Sequence, residues 1–121
     1  MATDPSGRGN WAEQVALDFL KTQGLDVIAR NFRCRQGEID LVMRDGRQLV
    51  LAEVRYRART DFGSALESVN AVKRQRLLRA AQHYLQQHPQ HRALACRFDV
   101  LGVSGSSESP SISWIKDAFR A

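Results

Sequence analysis

A chain of 121 residues, 43% hydrophobic and 26% charged, has the length of one compact domain and too much apolar material for a disordered or low-complexity segment. Eighteen Lys and Arg against thirteen Asp and Glu leave a net +5, a balance that draws polyanions, nucleic acid first, while saying nothing about the fold. The longest apolar runs, such as Leu49 to Ala52, fall far short of the ~18 residues of a membrane-spanning helix, so no membrane partner is expected.

Met1 to Ser6 carry no basic stretch leading into an apolar run, which predicts a cytoplasmic protein, with residues 1–8 as a flexible start. Between Gly9 and Gly24, Trp11, Val15, Phe19 and Leu20 recur at helical spacing, and Gly24 stands where a left-handed cap ends the helix. Three β-rich stretches follow: Leu25 to Phe32, Glu38 to Arg44 and Gln48 to Arg55. The last two are joined through Asp45-Gly46, a strong hairpin signal. A loop is predicted over Arg59 to Ser64, then one long helix ending before Pro89, with Leu77, Leu78, Ala81, Tyr84 and Leu85 on one arc and Arg76, Arg79 and His83 on the other. Cys96 to Val103 read as a strand, and the Gly/Ser-rich Ser104 to Ser111 as a flexible loop. A last strand through Ile112, Trp114 and Ile115 is optional. The order is α-β-β-β-α-β in a single domain over 1–121, an α/β fold.

Strand period places Glu53 and Arg55 on one face with Leu49 and Leu51, opposite Val50, Ala52 and Val54. On the preceding strand Ile39, Leu41 and Met43 form the apolar set and Asp40 lies opposite with Val42, so a suitable register brings Asp40 beside Glu53. Two such carboxylates repel unless a cation lies between them, and Mg²⁺ prefers one or two carboxylates plus waters and phosphate oxygens. Arg55 can compensate them directly, and solvated charges paired with the eight basic residues between Arg30 and Arg59 are the plainer alternative.

Gly9-Asn10-Trp11-Ala12-Glu13, Asn31-Phe32-Arg33, Gly37-Glu38-Ile39-Asp40-Leu41 and Glu53-Val54-Arg55-Tyr56-Arg57 resemble the YraN-like family of small bacterial proteins. Phe62-Gly63, Lys73 and Arg97-Phe98-Asp99-Val100 continue the likeness, so that it spans about residues 7 to 103. The resemblance implies a restriction-endonuclease-like fold, similar to Holliday-junction resolvases, with a central mixed sheet flanked by helices. It also implies a PD-(D/E)xK-type site in which Asp40 and Glu53, with Glu13 from the first helix, hold Mg²⁺ or Mn²⁺ for phosphodiester cleavage. The departure is Arg55, where the motif carries lysine: arginine stays protonated and offers charge to the transition state, not a base.

From Ser68 to Phe98 there is no acidic residue, whereas Lys73, Arg74, Arg76, Arg79, Arg92 and Arg97 fall there. Arg33, Arg35 and Arg57, with Lys73 and Arg76, are the expected nucleic-acid contacts around the carboxylates; a merely solvated helix face is the alternative. Residues alone do not separate DNA from RNA, while the resemblance favours DNA, duplex or branched, and leaves a homodimer open. A non-catalytic nucleic-acid-binding module, with Arg55 as its mark, and a protein-interaction domain remain as other readings. His83, His88 and His91 lack zinc-site spacing, and Cys34 and Cys96 read as reduced thiols. Trp11, Tyr84 and Trp114 read as packing, with Tyr56 and Phe32 open as base-stacking surfaces.

Overall fold

The computed structural model describes residues 7–57, 62–106 and 108–120. Its first helix, α1 (Gly7–Thr22), ends in a left-handed cap: Gly24 lies at φ +93°, its N–H donates to Lys21 O, and Leu25 N–H donates to Leu20 O, both at 3.1 Å. Leu20 and Leu25, brought together by this turn, are both buried, which is the apolar clasp such a cap favours. The chain then enters β1 (Asp26–Cys34), β2 (Gly37–Asp45) and β3 (Gln48–Tyr56), crosses through α2 (Phe62–Glu67) and α3 (Ala71–Gln87), and returns in β4 (Ala95–Gly105) and β5 (Pro110–Phe119). The five strands lie side by side in chain order, antiparallel except for the parallel β3–β4 pair. That parallel step is what demands the helical crossover.

Both faces of the sheet are covered. On one, Ala12, Ala16, Leu17 and Leu20 of α1 meet Leu41, Met43, Val50, Ala52 and Leu101. On the other, Leu77, Ala80, Ala81 and Tyr84 of α3 meet Ile39, Val42, Leu49, Leu51, Phe98 and Val100. Burial on two sides accounts for the unbroken apolar run from Leu49 to Ala52.

Three sequence expectations are corrected. The single long helix is two, because Asn70 leaves helical geometry and its side chain accepts the N–H of Lys73 at 3.0 Å, capping a new start at Ala71. Residues 62–64, expected in a loop, belong to α2, and 59–61 lie outside the described residues. The Gly/Ser-rich stretch is the tip of a hairpin: Ser104 and Gly105 finish β4, Pro110 and Ser111 open β5, and Gly105 pairs with Pro110. Ser107 and the first six residues of the expected flexible start are outside the described residues. The optional last strand is β5.

Asp99 accounts for part of the Arg97-Phe98-Asp99-Val100 signature. It is 1% exposed and sits where the β4–β5 register slips between Phe98 and Val100. Its carboxylate accepts Arg97 Nε at 3.0 Å, Trp114 Nε1 at 3.0 Å and the Asp117 N–H at 2.9 Å. Arg97 Nη1 in turn reaches Asp45 at 3.0 Å and Gln48 at 2.6 Å, tying both strands of the β2–β3 hairpin to β4. This buried charge is fully partnered and its role is to hold the strands.

Candidate functional site

The β2–β3 ladder runs from Asp45↔Gln48 to Leu41↔Ala52. One residue further the pairing changes character: the N–H of Val54 donates to the side chain of Asp40, Oδ2 at 2.8 Å, in a buried position. Alternation breaks at the same place, since Ile39 packs with the α3 core while Leu41 and Met43 pack with the α1 core. The expected single-faced set Ile39, Leu41 and Met43 is therefore corrected. On β1, between the pairs Arg30↔Leu41 and Phe32↔Ile39, Asn31 takes φ +52°. Asparagine is among the few residues that adopt this region readily, and two facing irregularities in neighbouring strands twist the sheet locally and re-aim the side chains there.

The twist seats Asp40 against Glu53. Each is 8% exposed, and the two carboxyls are hydrogen-bonded to one another. Burial, then the charge of Glu53, push the Asp40 carboxyl well above the usual carboxylate range, against the Val54 N–H, which favours the ionised form. Two buried carboxyls this close oppose each other's ionisation, so Asp40 keeps its proton to higher pH than a free aspartate. From α1, Glu13 is raised in the same direction by burial and then by Asp40, while a hydrogen bond from Asn31 and the charge of Arg30 oppose it. Among the described residues no three Asp, Glu, His or Cys side chains gather closely enough to hold one ion. Glu13 is near enough to Asp40 for the charge of Asp40 to act on it. Two carboxylates are a donor set that fits Mg²⁺ or Mn²⁺, which complete their shells with water, and does not fit an all-protein cage.

Two cations converge on Glu53 Oε2: Arg55 Nη1 at 3.3 Å and Lys73 Nζ at 3.9 Å. Arg55 is held from its other edge, its Nε donating to Ser68 Oγ at 3.0 Å while that hydroxyl donates to Ala65 O at 2.7 Å. Lys73 thus brings a primary amine from α3 to the carboxylate that Arg55 also reaches. Neither Ser68 nor Asn31 was singled out as a site residue by the sequence reading. Asn31 lies in one of the quoted motifs, whereas nothing in the sequence sets Ser68 apart from other serines.

An open pocket of about 420 Å³ lies against Glu53, lined also by Arg33, Arg35, Lys73 and Arg76. Four of the five basic residues expected to contact nucleic acid therefore share one concavity with the carboxylate. Arg33 is paired across the strands with Glu38 at 3.3 Å, and Arg35 sits on the two-residue turn before Gly37. Arg57 is elsewhere: it follows β3, half-buried, with its N–H on Val103 O at 2.8 Å. Tyr56 packs edge-on against Trp11 of α1, 6.2 Å between centroids, and Phe32 packs on Tyr84 and His83. His88 and His91 stack on Tyr84 at the far end of α3.

Fold and site together define a small α/β protein whose five-stranded mixed sheet carries a buried carboxylate pair beneath a basic rim. Residues 12–103 match the family described as "Uncharacterised protein family UPF0102", and the chain belongs to that family. It is 46% identical over 113 residues to a UPF0102 protein of Nitrosococcus oceani, a match covering 93% of this chain and 91% of that one. A UPF0102 protein of Methylobacillus flagellatus is 49% identical over 113 residues, covering 93% and 96%, and one of Stutzerimonas stutzeri 43% over 119 residues, covering 98% and 99%. The family match takes in Glu13, Asp40, Glu53 and Lys73 and stops short of β5. No helix among the described residues is long and apolar enough to cross a membrane.

Proposed function

We propose that this protein has a restriction-endonuclease-like fold and binds nucleic acid, DNA in preference to RNA, as a divalent-metal-dependent phosphodiesterase. The observation that carries the reading is the buried Asp40–Glu53 pair, whose Glu53 lines a pocket rimmed by Arg33, Arg35, Lys73 and Arg76. Mg²⁺ or Mn²⁺, held by Asp40 and Glu53, would supply Lewis-acid polarisation of the phosphodiester and would lower the pKa of a bound water so that hydroxide is available as nucleophile. The Val54 N–H holds Asp40 in place, and Glu13 adds negative charge near the pair. Arg55, anchored by Ser68, contributes fixed positive charge toward the developing phosphorane, and the rim residues hold the flanking phosphates.

The test is incubation of the purified protein with labelled duplex, single-stranded and four-way-junction DNA in Mn²⁺, Mg²⁺ or EDTA, scoring retardation and cleavage together. Cleavage that needs the metal and disappears in Asp40→Ala is the expected result. Arg55 favours a second reading, a binding module without turnover, since a guanidinium with two fixed partners cannot act as a base. Retardation that weakens steeply with salt, without cleavage, would install that reading; the absence of both signals would point instead to a protein partner.

A further inference from the structure

Beside the carboxylate pocket, and sharing Gln36 with it, lies a second concavity of about 390 Å³ lined by Gln36, Arg79, Gln82, His83 and Gln86. Both lie between the β1–β2 turn and the outer face of α3. The turn is pressed onto the helix at Gly37, where a Cβ would come within 2.7 Å of Arg76 O, so only glycine lets this wall close. The two concavities adjoin at Gln36, and their linings follow α3 in succession, from Glu53 and Lys73, past Arg35, Arg76 and Arg79, to Gln82, His83 and Gln86; this succession is the trough. From Lys73 to Gln86 a helix advances about 20 Å.

The lining has the chemistry of a nucleic-acid strand. The side chains of Arg35, Arg76 and Arg79 make no hydrogen bond or ion pair among the described residues, leaving three guanidiniums for phosphates. No acidic residue occurs between Ser68 and Phe98, so α3 opposes none of them, and Glu38 on the rim is paired with Arg33. Three glutamine amides and an imidazole offer donors and acceptors to base edges, and His83 rests on the ring of Phe32 with 6.2 Å between centroids. Each concavity has the size of a small-ligand cleft, enough for a nucleotide or two and too small for a duplex, whose major groove alone is ~12 Å across.

We infer that the trough holds an unpaired strand of the substrate, so that the preferred nucleic acid is a duplex with a single-stranded tail or flap leading away from the carboxylate site along α3. This rests on the nucleic-acid reading above. At ~3.4 Å per nucleotide of a stacked strand, the trough takes at most about six nucleotides.

The test is fluorescence anisotropy in EDTA, comparing a blunt duplex with the same duplex carrying tails of two, four, six and ten nucleotides at either end. Wild type is compared with Arg79→Glu and with Lys21→Glu, an equal charge reversal on exposed Lys21 of α1. The expected result is about tenfold tighter binding with a tail, levelling off by about six nucleotides. Arg79→Glu should lose the increment and keep its blunt-duplex affinity within about twofold of Lys21→Glu. Equal affinity for tailed and blunt duplexes, or an increment that survives Arg79→Glu, would overturn the trough while leaving nucleic-acid binding standing. Absence of binding to every nucleic acid overturns that binding and the trough together.

Discussion

Lys73 Nζ, in the first turn of α3, lies 3.9 Å from Glu53 Oε2 on β3, bringing a primary amine to the carboxylate whose own strand offers arginine two residues on. The helix N-terminus disfavours a cation at that place, and Glu53 offsets it. A divalent ion at Glu53 competes with this amine, while a phosphate recruits it. Lys73→Met should therefore move two affinities in opposite directions. Mn²⁺ binding, followed by calorimetry, should tighten by up to about fivefold, the ~1 kcal/mol limit of an exposed pair, given that the Lys73 side chain is 39% exposed. DNA binding should weaken, and its salt dependence should fall by about 0.9 log units per log unit of salt, one phosphate contact. Mn²⁺ binding that weakens in the variant would contradict the competition.

Seating Asp40 in a buried place against Glu53 comes at a cost to stability. The folded chain holds Asp40 protonated well above the ~3.9 of an unfolded aspartate, chiefly through burial and then through Glu53. As pH rises from about 4 through the folded value, the unfolded chain releases this proton more readily than the native one, so stability falls; Glu13, raised for the same first reason, acts in the same sense. Asp40→Asn mimics the protonated form, its Oδ1 accepting from Val54 and its amide donating to Glu53. In EDTA at pH 7 it should melt about 4 °C above wild type, on the order of 1 kcal/mol, and the gap should close near pH 4. Mn²⁺ should stabilise wild type increasingly as pH rises, because Asp40 must give up its proton to the ion, and should do nothing for the variant. Thermal denaturation across this pH range, with and without Mn²⁺, checks both.

The elements were legible because their signals are local. Gly24, Asp45-Gly46 and Pro89 end or turn segments by backbone preference alone, and the arc of Leu77, Ala81 and Tyr84 states which side of α3 is inside. The split at Asn70 and the hairpin through Gly105 escaped because Asn, Ser and Gly serve loops, caps and tight turns alike. Asp40 beside Glu53 followed from strand period plus an assumed register. The register holds through Leu41↔Ala52, but the period fails at Ile39, so the side chains meet by a twist and not by simple alternation. Lys73 on Glu53 and Ser68 on Arg55 are contacts of α3, and of the turn that follows α2, with β3, and they depend on how the helices sit on the sheet. No spacing along the chain encodes them.

Asn31 tests that twist. At φ +52° a glycine is at ease, whereas a β-branched residue pays about 1–2 kcal/mol for the left-handed conformation. Asn31→Val should be destabilised by that amount in chemical denaturation and should lose Mn²⁺ affinity as Asp40 is re-aimed. Asn31→Gly should keep the fold and the metal while removing the hydrogen bond that lowers the Glu13 pKa, so the Glu13 carboxyl should titrate at higher pH than in wild type when followed by NMR. An unshifted Glu13 in Asn31→Gly would show that this hydrogen bond is not made in solution.

Asp99 separates holding the sheet from serving the site. Its carboxylate takes Arg97, Trp114 Nε1 and the Asp117 N–H among the α1-side residues, pairing across from Ala52, whereas Glu53 and Lys73 meet on the α3 side. Removing one partner of a buried charge pair costs about 3–5 kcal/mol where the other is left uncompensated, and Arg97 keeps Asp45, which makes this an upper bound. Asp99→Ala should lose up to that much stability in urea denaturation, through Arg97, the indole and the N–H of Asp117, which lies within β5 at φ +51°. Well below its lowered melting temperature, its affinity for tailed DNA should stay within about twofold of wild type, because none of the groups it orphans faces the trough. A larger loss at a temperature where circular dichroism shows the native fold would mean that the hairpin of β4 and β5 reaches the nucleic acid, and that the binding surface extends past the α3 face.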